Sequence, residues 1–448
     1  MYEDENEDRT STRWICILLA VISLAGISGR IANVHSKDRK TPFFSANDRS
    51  RWCTILSLGE FGTYEIDRII KRKTWDSIDK VRHVGRDGEL HYYSSKPPLY
   101  ATMLAGEYWL VKKITGASLR KSTFYVVRVM LFLTNVLPLV LYFWLIVKIG
   151  EEFAETDWAR IYLMVAACFA TFLTTFANSI NNHLPAAISV LICVYAFVRI
   201  YRSESTSWRP FFIAGLASAF AAANELPALS FFAFATLIAV YLSKRQFLLG
   251  FLPGAAVVIA GFFGTNYAAH ASFIPPYAHR SAEDNWYDYE GSYWSGEKQG
   301  VDKGEESKAT YAFHVLIGHY GILSLTPIWL LSIIGAIHWI QRGEGDERLL
   351  AAVTVVLTIV CLTFYIALRP LKDRNYGGVS CGFRWMFWFI PLWLMLMVPT
   401  LDRINEKRVW QGFAIVLLIV SAFSAAYGSA NPWVSPWLYE YWKSIGWI

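Results

Sequence analysis

Apolar runs of about 20 residues recur along nearly the whole chain, separated by short polar connections, and each is long enough to cross a hydrocarbon core as a helix. The pattern predicts spans at approximately Trp14–Val34, Phe124–Val147, Ile161–Ala177, Pro185–Ile200, Phe211–Ala223, Leu226–Leu242, Phe247–Tyr267, Val315–Ile340, Leu349–Leu368, Phe383–Thr400 and Val409–Tyr427, about eleven in all. Transmembrane strands would be shorter and would alternate apolar with polar residues. The expected fold class is therefore all-α: a polytopic transmembrane helical bundle, one integral-membrane unit over residues 1–448.

Basic residues in the short connections orient the bundle. Lys148, the group Arg199, Arg202 and Arg209, the pair Lys244 and Arg245, the pair Arg342 and Arg348, and the group Arg403, Lys407 and Arg408 alternate with turns that carry none. The basic set marks the cytoplasmic face. The opposite, external face then receives a first large loop over 35–98, the turns "NSINNH" and "ANELP", a second large loop over 268–312, and "RPLKDRNYGGVSCG". This count requires the segment after Lys96 not to cross. Leu99, Met103, Leu104, Leu110 and Val111 are apolar while Glu107, Lys112 and Lys113 are polar, a pattern suited to an interfacial helix with Pro97 and Pro98 in its first turn. The acidic start before the run at Ile15, with no clear small-x-small cleavage site, predicts a retained first helix rather than a signal peptide.

Composition agrees. The 448 residues are 54% hydrophobic and only 17% charged, too apolar for a soluble domain of this size. The net charge of +6 is scattered over span ends and loops rather than gathered on one domain, which argues against a nucleic-acid partner. Of six cysteines none forms a CxxC pair; Cys16, Cys168, Cys193 and Cys361 fall in apolar runs, and Cys53 and Cys381 in external loops. Nine histidines give no HExxH or similar cluster, so no metal-ligating residues are expected there, and no P-loop or dinucleotide fingerprint occurs.

The external turns are rich in polar groups that are costly at membrane depth unless paired or used. Asn178, Asn181, Asn182 and His183 precede one apolar helix, and Asn224 and Glu225 lie between two; helix capping with Pro185 and Pro227 is the simpler account of both. Arg384 stands one turn into an aromatic-rich span, where an arginine usually meets an acid or a phosphate, while Arg374 is compatible with simple solvation. Next to Tyr376, Gly377 and Gly378 allow a tight turn. In the first loop Asp48 is expected to N-cap an amphipathic helix bearing Trp52, Ile55, Leu56 and Phe61, and its carboxylate is the right group to take a proton from a hydroxyl. Glu283, Asp284, Asp288 and Glu290 sit among five aromatics in the second loop, where oxygen ligation of a divalent ion and aromatic packing are both compatible with the spacing.

An N-terminal span, a large outer loop bearing an Asp, "KPPLY" ending that loop, many further spans and a late "YGG…GFRW" resemble the GT-C superfamily of integral-membrane glycosyltransferases, in particular its protein O-mannosyltransferase and aminoarabinose-transferase branch. The resemblance implies transfer of a sugar from a polyprenyl-phosphate donor on the non-cytoplasmic side, generally with inversion, to a lipid, glycan or protein acceptor. It assigns the general base to Asp48 and a lipid-phosphate contact to Lys96, held between Ser95 and two prolines, and it makes Arg384 a second phosphate contact. Asn182, His183, Asn224, Glu225, Arg374 and Tyr376 would line the substrate cavity. The family often carries an acidic pair in its first loop, whereas Arg49 follows Asp48 here, which leaves Glu60, Glu65 or Asp67 as alternative bases. No cofactor is required by this scheme, although a divalent metal remains compatible with it. The expected setting is a bacterial inner membrane with the site on its external face. Two rivals are a membrane acyltransferase with His183 as base and a transporter, against which stand the absence of an evident internal repeat and the gathering of polar residues at one face.

Overall fold

The computed structural model describes residues 2–203, 207–280, 283–304 and 306–448 and is a helical bundle with two folded loops at one end. Among the described residues eight helices are long and apolar enough to cross a membrane: Thr10–Ala32, Thr123–Phe153, Asp157–Asn178, His183–Ser203, Lys244–His270, Asp346–Leu368, Arg384–Arg403 and Arg408–Tyr427. The chain is an all-α polytopic membrane protein.

Three of the expected spans take another form. Phe211–Ala223 lies within the 17-residue helix Trp208–Asn224, and Leu226–Leu242 is a shorter apolar piece opening in a 3₁₀ turn at Pro227. Val315–Ile340 is broken into the helices Lys308–Leu316, Ile322–Leu325 and Trp329–Arg342. Pro327 lacks the N–H a continuous helix needs, and average hydropathy does not register such a break.

Every residue from Ile390 to Leu401 is buried, so the Arg384–Arg403 helix is surrounded by its neighbours. Close backbone approach holds it there. A Cβ on Gly335 would fall 1.8 Å from the Leu396 carbonyl oxygen; elsewhere in the bundle, one on Gly215 would fall 2.0 Å from that of Phe251. In lipid, where burial of apolar surface gives little drive between helices, such small-residue contacts supply the packing.

The first loop begins with the helix Ala46–Phe61. Its N-cap is Ser45, not Asp48 as expected; Asp48 is the third residue in and completes a capping box with the Ser45 backbone N–H. An antiparallel hairpin follows, β1 (Lys80–Val84) paired with β2 (Leu90–Ser94), register Val81 to Tyr93 and Lys80 to Ser94. The helix Pro98–Thr115 then starts on a proline, where the missing N–H costs nothing, and it is not among the eight membrane-length helices.

The second loop lies on this hairpin. The Arg82 backbone N–H donates to the Trp286 carbonyl at 2.9 Å, and the Trp294 indole N–H donates to the Ile78 carbonyl at 2.9 Å. Val81, Tyr93, Trp286 and Tyr287 form a small core between the two loops. At the opposite end of the bundle Arg202 bonds Asp346 at 2.8 Å and also contacts Glu152, and Asp402 accepts from the Thr156 N–H at 2.8 Å. All six cysteines are buried free thiols, so Cys53 and Cys381 are not paired.

Candidate active site

Strand pairing builds the first part of the site. Asp79 precedes β1 and Lys96 follows β2, so closing the hairpin brings together two residues far apart in sequence; the Ser95 N–H donates to the Asp79 carbonyl at 3.1 Å. The same carbonyl accepts from Ser50 Oγ, which also bonds Ser94 Oγ at 2.6 Å, so the helix Ala46–Phe61 is tied to this corner. Lys96 Nζ then lies 2.9 Å from Asp79 Oδ2. The other oxygen of Asp79 has no hydrogen-bond partner among the described residues. Burial lowers the Lys96 ammonium from its ordinary value, Asp79 raises it, and Arg51 and Arg384 lower it further.

Helix ends supply the second part. Arg51, buried on the Ala46–Phe61 helix, donates to the Asn47 carbonyl at 3.1 Å and to Asn182 Oδ1 at 2.7 Å. Burial pushes its guanidinium down to about 10, still charged at neutral pH. Asn182 Nδ2 donates to Glu225 Oε1 at 2.6 Å and to the Asn224 carbonyl at 3.2 Å, which joins two helix-connecting turns across the bundle. His183 Nδ1 also contacts Glu225 Oε1, and Arg384 Nη1 lies 3.1 Å from His183 Nε2.

Arginine can only donate, so Nε2 of His183 accepts and the ring proton sits on Nδ1, pointing at Glu225. His183 is thus a neutral bridge whose lone pair is engaged by Arg384, which leaves it no free nitrogen for the base role of an acyltransferase. Arg384 is held from its other side by the Gly377 carbonyl, 2.7 Å from Nε, and it stacks over the Trp433 ring at 4.9 Å. Gly377 and Gly378 have φ of 88° and 81°, and a Cβ on Gly377 would stand 3.2 Å from Arg384 Nε, so glycine is needed there for both reasons.

The cluster therefore gathers Lys96, Arg384, Asn182, His183 and Glu225, with Asn224 contributing its carbonyl while its side chain bonds back to Phe220 of its own helix at 2.9 Å. Arg51 and Asp79 belong to it and were not singled out from the sequence. The alternating "KVRHV" and "LHYYS" around Asp87-Gly88 are a hairpin signal that would have placed Asp79 beside Lys96. Arg51 carried no comparable mark.

The remaining expected residues sit elsewhere. Asp48 accepts from the N–H groups of Phe44, Ser45 and Arg49 at 3.0, 2.8 and 2.8 Å and from Ser45 Oγ at 3.0 Å; burial raises its carboxyl and those bonds lower it. Arg374 donates to the Glu306 carbonyl at 2.8 Å, and the Tyr376 hydroxyl bonds the Glu306 carboxylate, so both fasten the second loop to the 374–378 turn. Glu60 bonds Tyr108 and Lys112, while Glu65 and Asp67 face His91.

Two bonded groups, Lys96 with Asp79 and Arg51 through Asn182, Glu225 and His183 to Arg384, act on each other electrostatically, so that three cations face two carboxylates. Asp302 acts on Arg384 from farther off and is bonded to Asn375 and Tyr293. With Arg51 buried and Lys96 and Arg384 half-buried, a surplus of positive charge here is costly unless an anion completes it, and phosphate is the anion that arginine and lysine complement well.

No family profile matches this chain, and no curated protein matches it in sequence. Among solved structures, the apo form of the Archaeoglobus fulgidus oligosaccharyltransferase is similar, with 12% identity and a TM-score of 0.48 over 96% of this chain. The chain spans 57% of the length of that protein. At this identity and TM-score the likeness says nothing of activity.

Proposed function

We propose that this protein is a membrane glycosyltransferase that moves a sugar from a polyprenyl-phosphate-linked donor to an acceptor hydroxyl at the loop-bearing face, read as the external face of a bacterial inner membrane. The observation that carries the reading is the convergence of buried Arg51 and half-buried Lys96, both in the first loop, with half-buried Arg384 at the loop-facing start of a membrane helix, where Asp79 and Glu225 are the carboxylates bonded in among the described residues. A lipid phosphate sits at the membrane interface, where such a group can hold it and stabilise the charge that develops as it departs.

Asp79 is the base this reading favours. Its carboxylate has one oxygen outside the Lys96 pair, whereas that of Asp48 accepts four bonds from its own helix start. In the reaction the acceptor O–H gives its proton to Asp79 and the oxygen forms a bond to the anomeric carbon. The bond from that carbon to the phosphate oxygen breaks, and the polyprenyl phosphate leaves with the electron pair, held by Lys96 and Arg384. Single displacement of this kind inverts the anomeric centre. Glu225, Asn182 and His183 orient the two arginines. The acceptor is a lipid, glycan or protein hydroxyl.

The test is incubation of the purified protein with a panel of polyprenyl-phosphate sugars and envelope extract, following donor loss. Consumption of one donor by the wild type, lost in Lys96→Ala and Asp79→Asn, supports the reading; consumption of none, or equal consumption by all three, defeats it.

A further inference from the structure

A second chemical cluster lies outside the basic site, where the second loop re-enters the bundle. Glu306 precedes the helix Lys308–Leu316, His314 is in its last turn, and His319 lies in the turn after it. One carboxylate oxygen of Glu306 and one ring nitrogen of each histidine fall within 4.8 Å of one another. Both histidines are over nine-tenths buried, and the Nδ1 atoms of both have no hydrogen-bond partner among the described residues. Buried polar atoms are normally satisfied, so two orphan imidazole nitrogens on adjoining rings call for a missing partner.

We propose that Glu306, His314 and His319 bind a divalent transition-metal ion of the zinc type. Two imidazoles and one carboxylate are a ligand set that zinc favours; ligand atoms in such a tetrahedral site are about 3.4 Å apart, so binding requires the three groups to close and the two imidazole rings, stacked 3.9 Å apart, to turn a nitrogen each toward the ion. Gly318 makes room for the ring: a Cβ there would stand 2.5 Å from His314 Nδ1. The other His-carboxylate group of this kind, Glu65, Asp87 and His91, is less buried and its histidine is already bonded to Asp87 at 2.9 Å.

The site has a structural consequence. Glu306 is bonded by the Tyr376 hydroxyl and, through its carbonyl, by Arg374, and Tyr376 holds a left-handed φ of 56° immediately before Gly377, whose carbonyl anchors Arg384. An ion on Glu306 pins this strained turn and hence the direction of Arg384. The residues are positioning groups, and metal binding by them does not depend on the proposed transfer reaction.

The test uses the full chain purified in detergent through a tag without histidine, stripped with chelator and re-equilibrated with one equivalent of Zn2+. About one equivalent should remain after gel filtration, with a melting temperature raised by several degrees. Glu306→Gln, which keeps a bond for Tyr376, should weaken Zn2+ binding at least tenfold. The His314→Ala/His319→Ala double variant should retain none, while His338→Ala, at the far end of the bundle, should match the wild type. Co2+ in place of Zn2+ should show four-coordinate visible absorption that Glu306→Gln diminishes. Failure of the wild type to retain Zn2+, or retention by Glu306→Gln and by the double variant equal to that of the wild type, overturns the proposal.

Discussion

Lys96 Nζ stands 2.9 Å from Asp79 Oδ2 because the β1–β2 hairpin closes between them. The pair joins a cation to a carboxylate whose other oxygen is unbonded among the described residues. This separates two carboxylates of the first loop that look equivalent in sequence.

Asp79→Asn should lower turnover by at least about 100-fold, the range expected for loss of a general base. Asp48→Asn should leave turnover within about threefold and instead cost about 1 kcal/mol of stability, the usual worth of a helix-start bond. Initial rates and thermal melts of the two variants in detergent check both halves.

Arg384→Lys keeps the charge but loses the planar fork that reaches the Gly377 carbonyl and His183 Nε2 together. Donor KM should rise about tenfold. A chain that accepted lysine without change would show that only charge matters at this position.

Gly335→Ala places a methyl 1.8 Å from a backbone carbonyl of the central helix, which no side-chain rotation relieves. It should cost more than about 2 kcal/mol, through overpacking rather than chemistry. Melting temperature should fall while activity per folded molecule is unchanged.

His83, in β1, is stacked on Tyr93 and Trp286 and bonds His270 at 3.0 Å; burial lowers its imidazole below the ordinary value. The unfolded chain then binds the proton more readily, so the stability this histidine contributes is full above about pH 6.5 and is lost as the pH falls below it, by up to about 1.4 kcal/mol per unit. His91, raised by Asp87, acts in the opposite sense. Comparison with His83→Phe isolates the effect: the wild type should lose more melting temperature between pH 7 and pH 5 than the variant.

The membrane helices were legible because hydropathy averages over 20 residues and most spans are single helices. Where Pro227 and Pro327 interrupt the backbone, the average misled. Of the site, Lys96, Asn182, His183, Glu225 and Arg384 stood out because each is a polar group at the edge of an apolar run, and the fold brings all five together. Asp79 was missed because its partnership is made by strand pairing rather than by local spacing. His314 and His319 were passed over for a similar reason: five residues apart, they share no helix face, and only the turn beyond the Lys308–Leu316 helix folds one ring onto the other, 3.9 Å away.

The central claim is that the basic cluster holds a lipid phosphate. Binding of polyprenyl phosphate and of the matching neutral polyprenol, followed by tryptophan fluorescence in wild type, Lys96→Ala and Arg384→Ala, tests it most directly. The account predicts at least tenfold tighter binding of the phosphate by the wild type, about 1.4 kcal/mol, and loss of most of that preference in each variant. Equal binding of phosphate and alcohol, or a preference untouched by both substitutions, would contradict it.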